Sequence, residues 1–302
     1  MKLIPSLTAL LLLAARTAAF AQAATVAPTP IAAQAPENVA VKNNESIAFI
    51  GDSITALGAN LPGGYVRLVI SGLKANGITA TPFPVGIGGQ HSTEMLERLE
   101  RDVLNKKPTW MTLSCGVNDV WHGEKGVPLE AYKTNITALV DQAQAAGVKV
   151  MILTATMIGE TPGDPNNVKL AGYNEFLRQL AQAKKCPLAD LNADMQAAIK
   201  PGITGNQLTN DGVHMNPIGN QMMAAGVLRA FGLNEAQLQK ARDYWIAMPE
   251  IACNVNVQCK LELTLRQYQQ LNELAAKENL SVANYLQKAV ESLVPPQPAS
   301  KQ

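Results

Sequence analysis

The chain has 302 residues, enough for one large domain or for a domain with an appendage. Hydrophobic residues make up 47% of it and charged residues 16%, which excludes an intrinsically disordered chain. The formal net charge of +1 produces no field that would attract a polyanion. We therefore expect no nucleic-acid partner.

Residues 1–23 have the features of a secretory signal peptide. Lys2 is followed by an apolar run from Leu3 to Ala15, and Ala21-Gln22-Ala23 fits the small-x-small cleavage rule. The run is too short for a permanent membrane span, although an uncleaved anchor is the alternative. Residues 24–44 are rich in Ala and Pro and predict a disordered linker. We expect a secreted or periplasmic protein with no stable membrane span after cleavage.

From residue 45, short apolar runs alternate with amphipathic segments of helical spacing. The apolar runs cover residues 46–51, 80–85, 109–115, 148–155 and 187–191. Gly77 and Gly147 stand where helices are expected to end. This alternation predicts an α/β fold, a three-layer α/β/α flavodoxin-like sandwich with a five-stranded parallel sheet. Sites in such sheets form beyond the carboxyl ends of the strands.

Polar motifs follow the first three predicted strands and precede the end of the domain. They are Gly51-Asp52-Ser53, Gly88-Gly89, Gly116-Val117-Asn118-Asp119 and Asp211-Gly212-Val213-His214. Each motif alone has an ordinary explanation as a turn or a helix cap. Together they supply what acyl transfer requires, namely a hydroxyl nucleophile, an imidazole base, an orienting carboxylate and oxyanion donors.

The residue types suggest one role for each group. Ser53 is the candidate nucleophile, His214 the base and Asp211 the carboxylate that orients the base. The candidate oxyanion donors are the backbone N–H groups of Ser53 and Gly89 and the side-chain amide of Asn118.

These motifs resemble the signature blocks of the SGNH hydrolases, also called the GDSL esterase/lipase family, over residues of about 45–232. The resemblance implies a flavodoxin-like sheet, the same roles for the serine, glycine, asparagine and histidine, and no metal or other cofactor. The second block departs from the family, because Gly88-Gly89-Gln90-His91 stands where many members have Ser-Gly-Asp-Thr. Gly86 and Gly88 therefore remain alternatives to Gly89. The Gly-x-Ser-x-Gly elbow of the α/β-hydrolases is absent from the sequence.

The other two histidines allow several interpretations. His91 is expected to be an exposed turn residue before a helix that opens at Ser92. Trp121 and His122 either wall a substrate pocket or end a loop. A zinc site built from His214, Asp211 and His91 is conceivable, but no metal-binding motif supports it. The Gly- and Pro-rich loop at 156–167 is expected to rim the site.

Residues 233–294 form a predicted C-terminal appendage of one strand and two helices. Leu261, Leu263 and Leu265 alternate with polar residues, and Ser281 is a candidate cap for the second helix. The order faintly resembles a ribbon-helix-helix unit, a DNA-binding dimer fold. Because the segment has no basic surplus, we expect a homodimer contact or a docking appendage instead.

The four cysteines fall into two groups. Cys115 and Cys186 lie in or beside apolar runs and are expected to be buried thiols. Cys253 and Cys259 are close in sequence and form the candidate disulfide. Residues 295–302 are expected to be a disordered tail.

The sequence thus predicts a carboxylic ester hydrolase, specifically an exported serine esterase that cleaves short O-acyl esters of carbohydrate through an acyl-serine intermediate. Its partner would be a small-molecule or polysaccharide ester. The alternatives are lysophospholipase or thioesterase activity, or a non-catalytic cell-surface binding module.

Overall fold

The computed structural model describes residues 38–161, 163–203, 205–248 and 263–293. The chain forms two compact units, Met1–Cys253 and Asn254–Gln302. The predicted signal peptide, the linker up to residue 37, the Cys253–Cys259 pair and the tail from residue 295 lie outside the described residues. No helix among the described residues has both the length and the apolar character needed to cross a bilayer.

A five-stranded parallel sheet with helices on both sides forms the centre of the first unit, as the sequence predicts. Its strands are β1 (Glu45–Gly51), β2 (Ala80–Gly86), β3 (Trp110–Ser114), β4 (Lys149–Leu153) and β5 (Leu188–Ala189). They lie in the order β2-β1-β3-β4-β5. The chain therefore reverses direction across the sheet between β1 and β3, and a crevice forms at such a switch point.

Nine α-helices are described in this unit. They are α1 (Ser53–Asn60), α2 (Tyr65–Ala75), α3 (Ser92–Asp102), α4 (Val117–Trp121), α5 (Leu129–Ala145), α6 (Pro165–Ala183), α7 (Leu191–Ala198), α8 (Pro217–Ala230) and α9 (Glu235–Ala247). Gly77 and Gly147 have φ values of +81° and +79°, the left-handed conformation expected just beyond a helix end. Cys115 and Cys186 are buried free thiols, as predicted.

Residues 38–44 are packed against the domain and do not form the disordered linker expected from composition. Val39 and Val41 are 1% and 0% exposed. The Ala40 N–H between them donates to the Phe231 carbonyl at 2.7 Å. The two valines supply enough apolar surface to hold this short segment, and the Ala/Pro bias of the residues before it obscured them.

Helix α9 also belongs to the first unit, which therefore extends past the boundary at residue 232 expected from the sequence. Leu238, Ala241 and Trp245 are buried. The Trp245 indole N–H donates to the Leu68 carbonyl of α2 at 3.0 Å. The helix completes the layer over α2 and is not part of the appendage.

The described part of the second unit consists of α10 (Leu265–Lys277) and α11 (Val282–Ser292). Leu265 begins a helix, so the strand expected to include it is wrong at this point. The Thr264 hydroxyl accepts from the Gln267 N–H at 3.3 Å, and the Gln267 side chain accepts from the Thr264 N–H at 2.8 Å. This reciprocal cap starts the helix despite the alternating leucines. Ser281 caps α11, as predicted.

Candidate active site

A tight turn after β1 presents Ser53 at the first position of α1. The Asp52 carboxylate accepts from the Ile54 N–H at 2.9 Å and caps the helix. Gly51 has no room for a side chain, since a Cβ there would lie 2.1 Å from the Thr55 hydroxyl. The Ser53 hydroxyl consequently stands at the carboxyl edge of the sheet and at the positive end of a helix dipole.

The loop between α7 and α8 brings Asp211 and His214 to the same place. Asp211 Oδ2 lies 2.6 Å from His214 Nδ1, and His214 Nε2 lies 2.8 Å from Ser53 Oγ. Asp211 Oδ1 accepts from the N–H groups of Val213 at 3.0 Å and His214 at 2.8 Å. The three candidate residues therefore form one hydrogen-bonded chain from carboxylate to imidazole to hydroxyl.

The two carboxyl groups near this chain have opposite pKa shifts. Partial burial raises the pKa of Asp211, but hydrogen bonds from His214 and Val213 outweigh burial and leave the pKa below its ordinary value. Burial raises the pKa of Asp52 to about 6, against the opposing hydrogen bond from Ile54. Asp211 is thus held as an anion beside the imidazole, whereas burial favours the protonated form of Asp52.

The loop after β2 approaches Ser53 at Gly88. A Cβ on Gly88 would lie 3.8 Å from the Ser53 Cβ, and one on Gly89 would meet nothing within 4 Å. Gly89 also has a φ of +77°, which favours glycine. Gly86 is different, because a Cβ there would lie 2.4 Å from the Ala56 nitrogen. Gly86 therefore serves helix packing, and the open glycines are Gly88 and Gly89.

Asn118 lies in α4, directly after β3. Its Nδ2 donates to the Gln90 carbonyl at 3.0 Å and so joins α4 to the glycine loop. An amide nitrogen carries two hydrogens, which leaves one for a further acceptor. The neighbouring Asp119 accepts from the Ser92 N–H at 3.0 Å and fixes the start of α3.

Arg98 supports this edge of the sheet and was missed in the sequence. It is 3% exposed and donates to the Gln90 side chain at 2.6 Å and to the Gly51 carbonyl at 3.2 Å. It thereby connects the turn before Ser53 with the glycine loop. A signal was available, because Arg98 shares the face of the helix that Met95 and Leu99 bury.

His91, Trp121 and His122 form a cluster beside the glycine loop. His91 Nε2 lies 2.8 Å from His122 Nδ1, and the rings of Trp121 and His122 stack at an interplanar angle of 15°. The expectation that His91 is exposed is wrong, since its side chain is 16% exposed and paired. The predicted helix start at Ser92 is confirmed. Trp121 is 45% exposed, although its ring stacks on that of His122.

The match to known proteins lies in the segment that holds these motifs. The model of the GDSL-like lipase/acylhydrolase family matches residues 49–222, more than half of the chain. The chain belongs to the GDSL-like lipase/acylhydrolase family. As a member, it is a carboxylic ester hydrolase acting on acyl esters.

Relatives of this acylhydrolase include an acetylxylan esterase of Geobacillus stearothermophilus. The two are 28% identical over 213 residues, which cover 64% of this chain and 96% of the esterase. The crystal structure of Axe2, an acetylxylan esterase of that organism, matches with a TM-score of 0.58 and 27% identity, over 65% of this chain and 97% of that one. The crystal structure of the acetyl xylan esterase AlAXEase matches with a TM-score of 0.56 and 33% identity, over 61% and 98%.

Proposed function

We propose that this acylhydrolase is an exported serine esterase that removes short acyl groups, of the acetyl type, from carbohydrate. The observation that carries the proposal is the hydrogen-bonded chain of Asp211, His214 and Ser53, with distances of 2.6 and 2.8 Å. This is the arrangement that converts a serine hydroxyl into a nucleophile. Export rests on the signal-like sequence of residues 1–23.

In the proposed mechanism, His214 Nε2 accepts the proton of Ser53 as Oγ attacks the ester carbonyl. Asp211 holds the imidazole in place through Nδ1 and stabilises the imidazolium. The oxyanion is bound by the N–H groups of Ser53 and Gly89 and by the second hydrogen of Asn118 Nδ2. The imidazolium then gives its proton to the departing alcohol, and water, activated by His214, releases the acid from the acyl-serine.

The substrate class rests on the relatives and on the exposed cluster. Proteins described as acetylxylan esterases match this chain over nearly their whole length. Trp121 lies about one helical turn after Asn118 and is 45% exposed, and an accessible aromatic ring is the kind of surface on which the C–H groups of a sugar ring pack. We assign Trp121 and His122 to the alcohol side of the substrate, where they would bind a sugar next to the ester.

The first prediction concerns the nucleophile. Ser53→Ala should lose nearly all hydrolysis of 4-nitrophenyl acetate and all labelling by a fluorophosphonate, because no other hydroxyl lies on His214 among the described residues. Ser71→Ala is the matched control, since that hydroxyl donates only to the Leu68 carbonyl on α2. Full activity in Ser53→Ala, or labelling at another serine, would refute the serine mechanism.

The same assay identifies the substrate. Rates on 4-nitrophenyl esters should be highest for acetyl and fall with acyl length, and acetylated xylooligosaccharides should be hydrolysed. Trp121→Ala should raise KM for the oligosaccharides more than for the aryl ester. A preference for long acyl chains or for thioesters would favour the lysophospholipase or thioesterase alternative. A folded wild-type protein inactive on every ester would favour a binding module.

A further inference from the structure

The loop between β4 and α6 carries a carboxylate whose hydrogen bonds all go to one segment of chain. Glu160 Oε1 accepts from the Leu208 N–H at 2.9 Å, the Thr209 N–H at 2.7 Å and the Thr209 hydroxyl at 2.6 Å. Glu160 Oε2 accepts from the Gln207 N–H at 2.6 Å. One side chain thus binds three consecutive residues of the segment that leads to Asp211.

That segment is one arm of a narrow hairpin, residues 207–216, which we name the Asp–His loop. Thr209 and Met215 form an antiparallel bridge. The Asn210 N–H donates to the His214 carbonyl at 2.8 Å, and the Asn216 N–H donates to the Leu208 carbonyl at 2.9 Å. Because the arms are cross-linked, a shift of the first arm moves the imidazole at the tip.

The loop that carries Glu160 is itself held to α6. Asn167 accepts from the Ile158 N–H at 2.9 Å and donates to the carbonyls of Ile158 at 2.9 Å and Gly159 at 3.0 Å. The Gly159 N–H in turn donates to the Gly212 carbonyl at 2.7 Å, at the tip of the Asp–His loop. The loop after β4 is therefore a fixed support for the hairpin.

The second arm is attached to α8. Asn220 Nδ2 donates to the Met215 carbonyl at 3.1 Å, and the Asn220 Oδ1 accepts from the Tyr65 N–H at 2.9 Å. Only Glu160 supplies a side-chain carboxylate to the first arm among the described residues. The two arms thus have separate anchors, one on α8 and one on the loop after β4.

We infer that Glu160 is a positioning residue, which fixes the first arm of the Asp–His loop so that His214 stands at hydrogen-bond distance from Ser53. The inference deepens the proposed serine mechanism and rests on it. Glu160 touches neither reacting group. Its effect is on the relative placement of base and nucleophile, and a displacement of about 1 Å can lower a rate about hundredfold.

Glu160→Ala removes all four hydrogen bonds and should lower kcat on 4-nitrophenyl acetate about tenfold to hundredfold, with KM little changed. The rate of fluorophosphonate labelling should fall in parallel. Glu160→Gln keeps the oxygen that faces Leu208 and Thr209 but turns an NH₂ group toward the Gln207 N–H. Its kcat should therefore lie between those of the wild type and of Glu160→Ala. Rates are normalised to the folded fraction and measured well below the thermal midpoint.

Asp190→Asn is the matched control. The Asp190 carboxylate also accepts four hydrogen bonds, from Arg178 twice, from Thr154 and from the Ala193 N–H, and it makes none with the Asp–His loop. Asp190→Asn should lower the thermal midpoint and leave kcat unchanged. Glu160 variants that lower the midpoint but retain wild-type kcat would overturn the inference, as would an equal loss of kcat in Asp190→Asn.

The outcome also separates this inference from the proposed function. A wild-type protein that neither hydrolyses the ester nor reacts with the fluorophosphonate contradicts the serine mechanism, and with it the role given to Glu160. A reactive wild type with unaffected Glu160→Ala and Glu160→Gln variants overturns the role of Glu160 alone.

Discussion

Ser53 and His214 are 161 positions apart in the chain, yet one hydrogen bond of 2.8 Å joins their side chains. The carboxyl groups next to these two residues differ in how far solvent reaches them. Asp52, which precedes Ser53 in the chain, is 2% exposed, whereas the Asp211 side chain beside His214 is 52% exposed. Because water reaches Asp211, we expect the carboxylate to matter less for turnover than the nucleophile and the base.

The second prediction ranks these residues on one acetyl ester. His214→Ala should lose as much kcat as Ser53→Ala, because both groups act in one proton transfer. Asp211→Ala should lose less, because it orients and stabilises the imidazole only. Asn118→Ala removes one oxyanion donor and should lower kcat about a hundredfold to a thousandfold. Steady-state kinetics checks the order.

The rate profile with pH tests the same scheme. Burial raises the pKa of Asp211, but its hydrogen bonds with His214 outweigh burial and leave the pKa below its ordinary value, so the carboxylate is available to stabilise the imidazolium that forms in the reaction. A general base works only in its unprotonated form, so the rate should fall toward acid pH. A rate independent of pH, or normal turnover in Asn118→Ala, would contradict the scheme.

At the scale of helices, two N-cap carboxyl groups make the stability of the fold depend on pH in opposite directions. Asp52 caps α1 and Asp190 caps α7. Burial raises the pKa of Asp52 from 3.8 to about 6. Burial also raises the pKa of Asp190, but its hydrogen bonds with Arg178 outweigh this and lower the pKa below the ordinary value. Protonation of Asp52 therefore stabilises the fold at the start of α1, whereas ionisation of Asp190 stabilises it at the start of α7.

The third prediction follows from the raised pKa of Asp52. Between about pH 4 and pH 6, the folded protein binds a proton at Asp52 that the unfolded chain does not, so the contribution of Asp52 to stability falls as pH rises. At roughly 1.4 kcal/mol per pKa unit, the loss amounts to about 3 kcal/mol at pH 7. Relative to wild type, Asp52→Asn should therefore gain up to about this free energy of unfolding between pH 4 and pH 7.

Urea unfolding of both proteins across this range measures the difference. Asp190→Asn is the control of opposite sign, because a lowered pKa adds stability above the ordinary carboxyl value that is lost as pH falls through the folded one. It should be less stable than wild type at pH 7, by a margin that shrinks toward acid pH. A difference between Asp52→Asn and wild type that does not vary with pH would contradict the assignment.

For the whole molecule, the question is where the hydrolase unit ends and what the second unit does. Among residues 263–293, Ala275 alone is buried, while Leu265, Val290 and Leu293 are 73%, 61% and 79% exposed. Two short helices with so little core usually need a partner. Residues 263–293 carry equal numbers of acidic and basic side chains. We propose that this unit pairs with a second copy of itself and does not bind DNA.

The fourth prediction compares two truncations. A chain that ends at residue 253 keeps α9 and should fold and hydrolyse 4-nitrophenyl acetate like the full chain. A chain that ends at residue 232 lacks buried Trp245, whose loss alone typically costs about 3–5 kcal/mol, and it should unfold or aggregate. Circular dichroism and activity distinguish the two.

Sedimentation of the same proteins tests the pairing. The full chain should sediment as a dimer and the chain that ends at residue 253 as a monomer. A monomeric full chain would refute the pairing, and salt-sensitive DNA binding by the full chain would refute the exclusion of nucleic acid.

The sequence by itself was sufficient for the sheet, and it supplied the candidate groups at the edge of the sheet. Apolar runs of strand length and helical periodicity are local properties, and they predicted five parallel strands correctly. Ser53, Gly89 and Asn118 became candidates because each follows a strand closely, and residues that follow parallel strands meet at one edge of the sheet. Asp211 and His214 became candidates because they are three residues apart and suit one another chemically, and the structure joins their side chains by a hydrogen bond.

Only the tertiary structure decided which distant polar groups meet. His91 and His122 are 31 positions apart, Glu160 and Thr209 are 49 apart, and Trp245 and Leu68 are 177 apart. None of these pairs leaves a periodic or local mark, because a hydrogen bond made by a side chain to a distant residue depends on how the layers pack and not on spacing along the chain. For the same reason, composition suggested disorder for residues 38–44, whereas burial of Val39 and Val41 holds them against the domain.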